Sequence, residues 1–312
     1  MTRFLRHETI LAVLAVIVLG ILAYQSDRFF TVDNLLNQGR LMTEVGLVAI
    51  LMTFVIATGG IDLSVGSIIG LTAILTGVFW QSVGLPLPLA ALAAIACGTF
   101  GGFANGVIIT RFGVPPLIAT LATLALYRGL AEGISQARSV RGYPEWFYVL
   151  GQGNVLGVPT QLWLLVLTAI VAAIVLGLTR WGRTVYAIGN NEVAARFSGL
   201  PVDRAKLAIY TASGFAAAVA GVILVSRVST TRSDMGTGLE LDAITAVVLG
   251  GTSIFGGRGT IAGTVLGLIL IQALKNGLSL AGVKGDGTIV LIGVVLIVTI
   301  LISNIVHRNG NR

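Results

Sequence analysis

The sequence predicts an all-α, polytopic membrane protein of about ten transmembrane helices, some of them broken by glycine-rich segments. Three observations carry that expectation. Hydrophobic residues make up 55% of the 312 residues and charged residues only 11%, against about 45–50% and 25% in soluble domains, so an ordinary globular surface cannot be clothed. Apolar runs recur at 9–24, 41–58, 63–80, 87–110, 115–134, 161–179, 207–226, 242–255, 260–275 and 288–306, most of them near the roughly 20 residues that a helix needs to cross a core of about 30 Å. The Val, Ile, Leu and Ala in these runs do not alternate with polar residues, which argues against a β-barrel. The chain reads as a single transmembrane domain, 1–312.

Taken in order, the first run follows Arg3 and Arg6, but Tyr24-Gln25-Ser26-Asp27 offers no small-x-small cleavage site, so a retained helix is expected. The second and third runs flank Gly59-Gly60-Ile61-Asp62-Leu63-Ser64-Val65-Gly66-Ser67. An ionised Asp at the centre of a membrane helix costs about 2.5–3.5 kcal/mol, so this carboxylate is expected in protein, in a water-lined cavity or at an interface. Asp62 or Ser64 can cap the helix that follows; Asp62, Ser64 and Ser67, with Thr252 and Ser253 farther on, could instead line a polar path for a hydroxylated solute. Glu44 is placed near an outer interface. Arg128 and Glu132, four apart on one helix, are expected to pair with each other.

Gly98, Gly102 and Gly106 repeat every four residues, as do Gly259, Gly263 and Gly267, and each set reads as a seam for close helix packing. The region 135–161 is the longest outer loop; Pro144, Trp146, Phe147 and Tyr148 are expected to lay it onto the interface. The region 180–206 is the one long polar cytoplasmic loop. Within it Asn190 or Asn191 can cap a short helix from Glu192 to Ser198, Gly199 suits a left-handed end, and Pro201 stops continuation. Val193 and Phe197 would share one exposed face of that helix, which either lies in the headgroup layer or docks a partner. Leu249 to Gly263 is a second glycine-rich interruption between runs too short for comfortable spans, a candidate gate or path.

Topology accounts for the formal net charge of +7. With cytoplasmic termini, the inner loops hold Arg3, Arg6, Arg111, Arg180, Arg183, Arg196, Arg204, Lys206, Arg258, Arg308 and Arg312. The outer ones hold Arg28, Arg40, Arg138, Arg141, Arg227, Arg232, Lys275 and Lys284, a bias in the direction of the positive-inside rule. The cations gather on no single face, so nucleic acid is not an expected partner. Cys97 and the terminal His7 and His307 have no neighbours suited to metal, redox or nucleophilic chemistry. Gly257-Arg258-Gly259-Thr260-Ile261-Ala262 imitates a dinucleotide fingerprint without the strand or the acidic residue it needs. Gly251-Thr252-Ser253-Ile254-Phe255-Gly256-Gly257-Arg258 lacks the lysine of a phosphate loop. No catalytic residue, metal or cofactor is expected.

The nine residues Gly59–Ser67 resemble the motif of the permease subunits of ribose-type monosaccharide ABC importers. So do Arg111–Leu130, the stretch from Gly182-Arg183-Thr184 through Gly189-Asn190-Asn191 to Gly199, and Gly238–Ile244 followed by Val248-Leu249-Gly250-Gly251 and Gly256-Gly257. Tyr127-Arg128-Gly129 and Thr237–Glu240 are most similar to the rhamnose and quorum-sensing autoinducer branch, from which Arg232-Ser233-Asp234-Met235 departs. The resemblance implies about ten helices in the bacterial inner membrane, a second permease as a homo- or heterodimer, and membrane lipid around the pair. It also implies a cytoplasmic ABC ATPase that hydrolyses the ATP and a periplasmic sugar-binding protein. It makes Glu192–Ser198 the coupling helix, with Glu192, Val193, Arg196, Phe197 and Ser198 at the ATPase. The rivals are a proton-coupled secondary transporter using Asp62 or Glu132, a similar permease for nucleosides or branched-chain amino acids, and a membrane enzyme, which lacks clustered His, Cys and carboxylates.

Overall fold

The computed structural model describes residues 27–283 continuously, together with positions 16, 17, 19–22, 24, 285, 287, 289, 290, 293, 294 and 297. The expected spans 9–24 and 288–306 fall largely outside these residues, as do His7, His307, Arg3, Arg6, Lys284, Arg308 and Arg312. The described chain is helical apart from one small hairpin. In order the elements are α1 (Val32–Leu41), α2 (Thr43–Ala57), α3 (Val65–Gln81), α4 (Leu87–Arg111), α5 (Pro116–Ser135), α6 (Glu145–Gln152), the antiparallel pair β1 (Asn154–Val155) and β2 (Val158–Pro159), α7 (Thr160–Leu178), α8 (Arg180–Asn190), α9 (Glu192–Phe197), α10 (Val202–Val228), α11 (Leu239–Leu249) and α12 (Ile261–Leu280).

Among the described residues five helices, α4, α5, α7, α10 and α12, are long and apolar enough to cross a membrane. A sixth span is made if α1 and α2, bent by 49° at Met42, count as one. Two expected spans are shorter than a bilayer. The 17 residues of α3 rise about 25 Å and the 11 of α11 about 16 Å, against a core of about 30 Å. Both begin at a break in the chain.

α2 is apolar all round and almost every residue of it is buried, as such a helix must be. It packs on α10, α11, α7 and α12 at the centre, while α4, α5 and α7 show the surroundings a belt of exposed Leu, Ile, Val and Phe. The closest helix pair is α4 with α10. A side chain at Gly98 would meet Ala218 Cβ at 2.6 Å, one at Gly102 would meet the Gly214 backbone at 2.7 Å, and one at Gly106 would meet Leu207. Gly263 and Gly267 lie against the α11 backbone at Gly250 and Ala246. Gly259 stands before α12 in extended backbone and faces Thr252, so that set is not one helix face.

Both long loops are more structured than their sequences suggested. The region 135–161 folds α6 against the end of α10: Ser226 Oγ accepts from Gly151 N and donates to Phe147 O. Tyr143 and Phe147 turn inward, Tyr143 stacking on Trp80, and of the expected interfacial aromatics Trp146 is exposed. The region 180–206 opens with an additional helix, α8, capped by Thr179 Oγ1 accepting from Gly182 N. Arg40, Arg227 and Lys275, expected in outer loops, lie within α1, α10 and α12.

Candidate functional site

Three places gather the polar residues singled out above. The first is the break before α3. α2 ends with Gly59 at φ +79°, a left-handed conformation that glycine adopts without strain. Asp62 is fully buried, and its Oδ1 accepts from Ser64 N (3.0 Å) and Ser64 Oγ (2.6 Å), while Oδ2 accepts from Ser213 Oγ (2.9 Å) on α10. Ser64 Oγ in turn accepts from Asn105 Nδ2 on α4 at 2.7 Å, and Ser67 Oγ donates to Ser64 O. Asp62 therefore does not cap α3 directly; Ser64 holds the cap position, and Asp62 clasps it from two residues upstream. Asp62, Ser64 and Ser67 are enclosed, with their side-chain oxygens occupied by protein partners. Asn105 and Ser213 were missed from sequence, although a polar residue inside an apolar span is the signal that marks them.

The second place is the stretch from Ser229 to Gly238. Arg128 does not pair with Glu132. Its Nη1 donates to Ser233 O and to Met235 O (3.0 Å), and its Nη2 reaches Gly66 O at 3.4 Å, so one guanidinium serves carbonyls from both breaks. Glu240, in the first turn of α11, lies against Gly66 with Oε2 unbonded among protein atoms. The two breaks carry the same pattern, Gly60-Ile61-Asp62-Leu63 and Gly238-Leu239-Glu240-Leu241, each placing a carboxylate beside the start of a short helix, where the dipole favours negative charge. Two further pairs lie inside the bundle: Arg227 Nε with Glu44 Oε1 at 2.7 Å, and Lys275 with Asp242. Glu44 is thus buried against its neighbours, and the interior holds more fixed charge than the sequence suggested.

The third place is α9. Asn191 Oδ1 accepts from Ala194 N (2.9 Å), Gly199 takes φ +75° after Ser198, and Pro201 follows. Six residues cannot hold a helix alone, and a charge network anchors this one to α10: Lys206 with Glu192, and Arg196 with both Glu192 (3.0 Å) and Asp203. Val193 and Phe197 are left outward, 62% and 90% exposed. Against the end of α8, just before α9, runs the turn Thr252–Arg258: Gly257 N donates to Ala57 O, a side chain at Gly257 would meet Asn190, and Phe255 is exposed. Thr252 is buried and Ser253 closes the turn, its N–H donating to Arg258 O.

The network has a pH signature. Burial pushes Glu192 up, but the hydrogen bond and charge of Lys206, then those of Arg196, outweigh it, so its carboxyl ends below the usual range. For a carboxylate depressed on folding, the stabilisation is complete above the unfolded value, about 4, and is lost as pH falls through the folded one. Pepsin cleavage around 192–203 is therefore expected to accelerate as pH drops below about 4, and Lys206→Gln is expected to move that onset upward.

A family profile described as the permease component of branched-chain amino acid transport systems matches residues 34–300. The chain belongs to this family of transport permeases. Among curated proteins it is 38% identical over 309 residues to the ribose import permease protein RbsC of Escherichia coli strain K12, covering 96% of this chain and 94% of that one. It is 41% identical over 290 residues to RbsC of Bacillus subtilis strain 168, covering 92% and 89%. To the autoinducer 2 import system permease protein LsrD of Escherichia coli O9:H4 strain HS it is 38% identical over 313 residues, covering 97% and 94%. No solved structure matches the chain. It is a multi-pass permease component of an importer, not the subunit that hydrolyses ATP.

Proposed function

We propose that this chain forms the translocation path of an ATP-driven, binding-protein-dependent importer of a ribose-, rhamnose- or autoinducer-2-like monosaccharide. In this reading a second permease, the same or different, completes the path, and a periplasmic sugar-binding protein delivers solute at the end formed by α6 and the hairpin. A cytoplasmic ABC ATPase docks at α9, both termini are cytoplasmic, and the assembly sits in the bacterial inner membrane. The full-length likeness to ribose and autoinducer 2 permeases supports the solute class.

The observation that carries the reading is α9: a charge-anchored knob whose two largest apolar side chains face out of the molecule. Such a knob transmits rigid-body movement, and ATP can shift the permease only through its differential affinity for two states. Glu192 and Arg196 hold the helix, Val193 and Phe197 insert into the ATPase, and Ser198 ends the contact. Asp62, Ser64 and Ser67 shape the path by holding its first break closed, and Thr252 and Ser253 brace the turn beside α9.

The test is affinity purification from gently solubilised membranes, comparing the parent with the double substitution Val193→Asp and Phe197→Asp. An ATPase is expected to co-elute with the parent and to be lost with the variant, because two carboxylates in an apolar contact cost several kcal/mol, on the order of 2–7 per unsatisfied polar group. Absence of any ATPase from the folded parent sinks the proposal.

A further inference from the structure

The segment Arg232–Leu241 enters the bundle from the level of the 135–161 region, where Thr231 N donates to Val140 O, and keeps one side open as it descends to Gly66. Its depth follows from its contacts. Arg128, which holds the Ser233 and Met235 carbonyls, is seven residues short of the end of α5 at Ser135, or about 10 Å. Gly236 packs on Gly66 and Ile69, and Gly66 is fifteen residues from the end of α3 at Gln81, or about 22 Å. Gly236 and Gly238 both take positive φ, +79° and +86°, and the backbone between Arg232 and Leu239 makes turn-type bonds such as Met235 N to Arg232 O and Thr237 N to Asp234 O. At this depth irregular backbone is tolerated where protein buries it or where it lines a water-filled cavity.

Within this chain only Met235 and Gly236 of the segment are buried. The side chains of Arg232 and Asp234, paired with each other, are 62% and 60% exposed, Thr237 is exposed, and Leu241 is 47% exposed. Lipid is a poor neighbour for an exposed ion pair beside the Thr237 hydroxyl, whose hydrogen is donated to Asp234 O at 2.7 Å while its oxygen stays open. The belt that does suit lipid is elsewhere, at Leu121 and Leu126 of α5, Phe100 of α4 and Ile170 of α7. A dry contact with a second permease fits poorly too, because interface cores are depleted of charge.

We propose that Arg232–Leu241 is the solute-contacting wall of the path, with the Thr237 hydroxyl oxygen as an acceptor and the exposed Arg232–Asp234 pair presenting donors and acceptors to a hydroxyl-rich solute. The inference rests on the importer reading. Arg128 is a positioning residue here: it pins the wall to α3 by occupying carbonyls that water would otherwise claim. The left-handed glycines at 236 and 238 give the wall its sharp turn into α11.

The test is thiol labelling of the assembled transporter in sealed membranes, using chains that carry Cys97→Ser with Thr237→Cys, Leu241→Cys or the lipid-facing control Leu126→Cys. The probe is a charged, membrane-impermeant methanethiosulfonate. Thiolates form in water and not in lipid, so Thr237→Cys and Leu241→Cys are expected to react, with loss of labelled ribose uptake and slowing by excess ribose, and Leu126→Cys to stay unmodified. Reaction at both wall positions no faster than at Leu126→Cys overturns the proposal, as does cross-linking of Thr237→Cys to a second permease. Failure of the importer reading looks different: the unmodified Cys97→Ser chain then binds no ATPase and imports no sugar, whatever the labelling.

Discussion

Asp62→Ala is expected to leave little folded permease in the membrane, whereas Asp62→Asn is expected to fold and to transport. The carboxylate accepts three hydrogen bonds at a fully buried position, from Ser64 N, Ser64 Oγ and Ser213 Oγ. Removing it strands buried donors at about 1–3 kcal/mol each. Ser213 can turn its hydroxyl toward its own helix, which leaves a loss of roughly 2–5 kcal/mol, a large part of the 5–15 kcal/mol that holds a typical domain together. Asparagine keeps one oxygen on Ser64 N and Oγ and offers its amide to Ser213 Oγ, which becomes the acceptor. Its expected cost is within about 1 kcal/mol. Detergent-extracted yield and thermal denaturation of the three chains measure this. Uptake separates mechanisms as well: a carrier moving protons on Asp62 loses uphill transport in Asp62→Asn, and an ATP-driven importer keeps it.

Gly102→Leu is expected to do comparable damage by a different route. α4 and α10 touch backbone to backbone there, since a Cβ at Gly102 would stand 2.7 Å from Gly214 Cα and one at Gly214 would stand 2.6 Å from Gly102 Cα. Backbone cannot rotate out of the way as a side chain does. The helices must separate, and overpacking that costs about 1–3 kcal/mol where side chains yield costs more where they cannot. In a membrane the close approach is itself the driving force for association. The contrast is Gly133→Ala on α5, where a Cβ meets nothing within 4 Å; better helix propensity is expected to leave that variant neutral or up to about 1 kcal/mol more stable. A parallel thermal-shift series on both glycines reads the difference directly.

The contrast between Gly102 and Gly133 also shows what kind of information the chain carries locally. Spacing alone marked Gly98, Gly102 and Gly106 as one helix face, because a four-residue repeat maps onto a stripe whatever lies opposite. It also grouped Gly259 with Gly263 and Gly267, and there it misled, since Gly259 precedes α12. Arg128 and Glu132 are a similar case. Four-residue spacing permits a pair, but carbonyls at Ser233 and Met235, more than a hundred residues away, won the guanidinium. Asp242 and Lys275 pair across two helices with no local sign of each other.

By itself the sequence determined the membrane class, the order of most helices, the break at Gly59–Ser67 and the bounds of α9. Each of those depends on forces acting within a few residues: apolar burial along one run, a cap at Asn191, a left-handed turn at Gly199. Only the tertiary structure decided that Asp62 faces Ser213 while Asn105 holds Ser64, that Arg128 bridges two breaks, and that Arg232, Asp234, Thr237 and Leu241 stay exposed. Those outcomes depend on which helices are neighbours. In a bundle whose surfaces are uniformly apolar, hydrophobicity does not choose neighbours; close packing at glycine and the pairing of a few buried polar groups do.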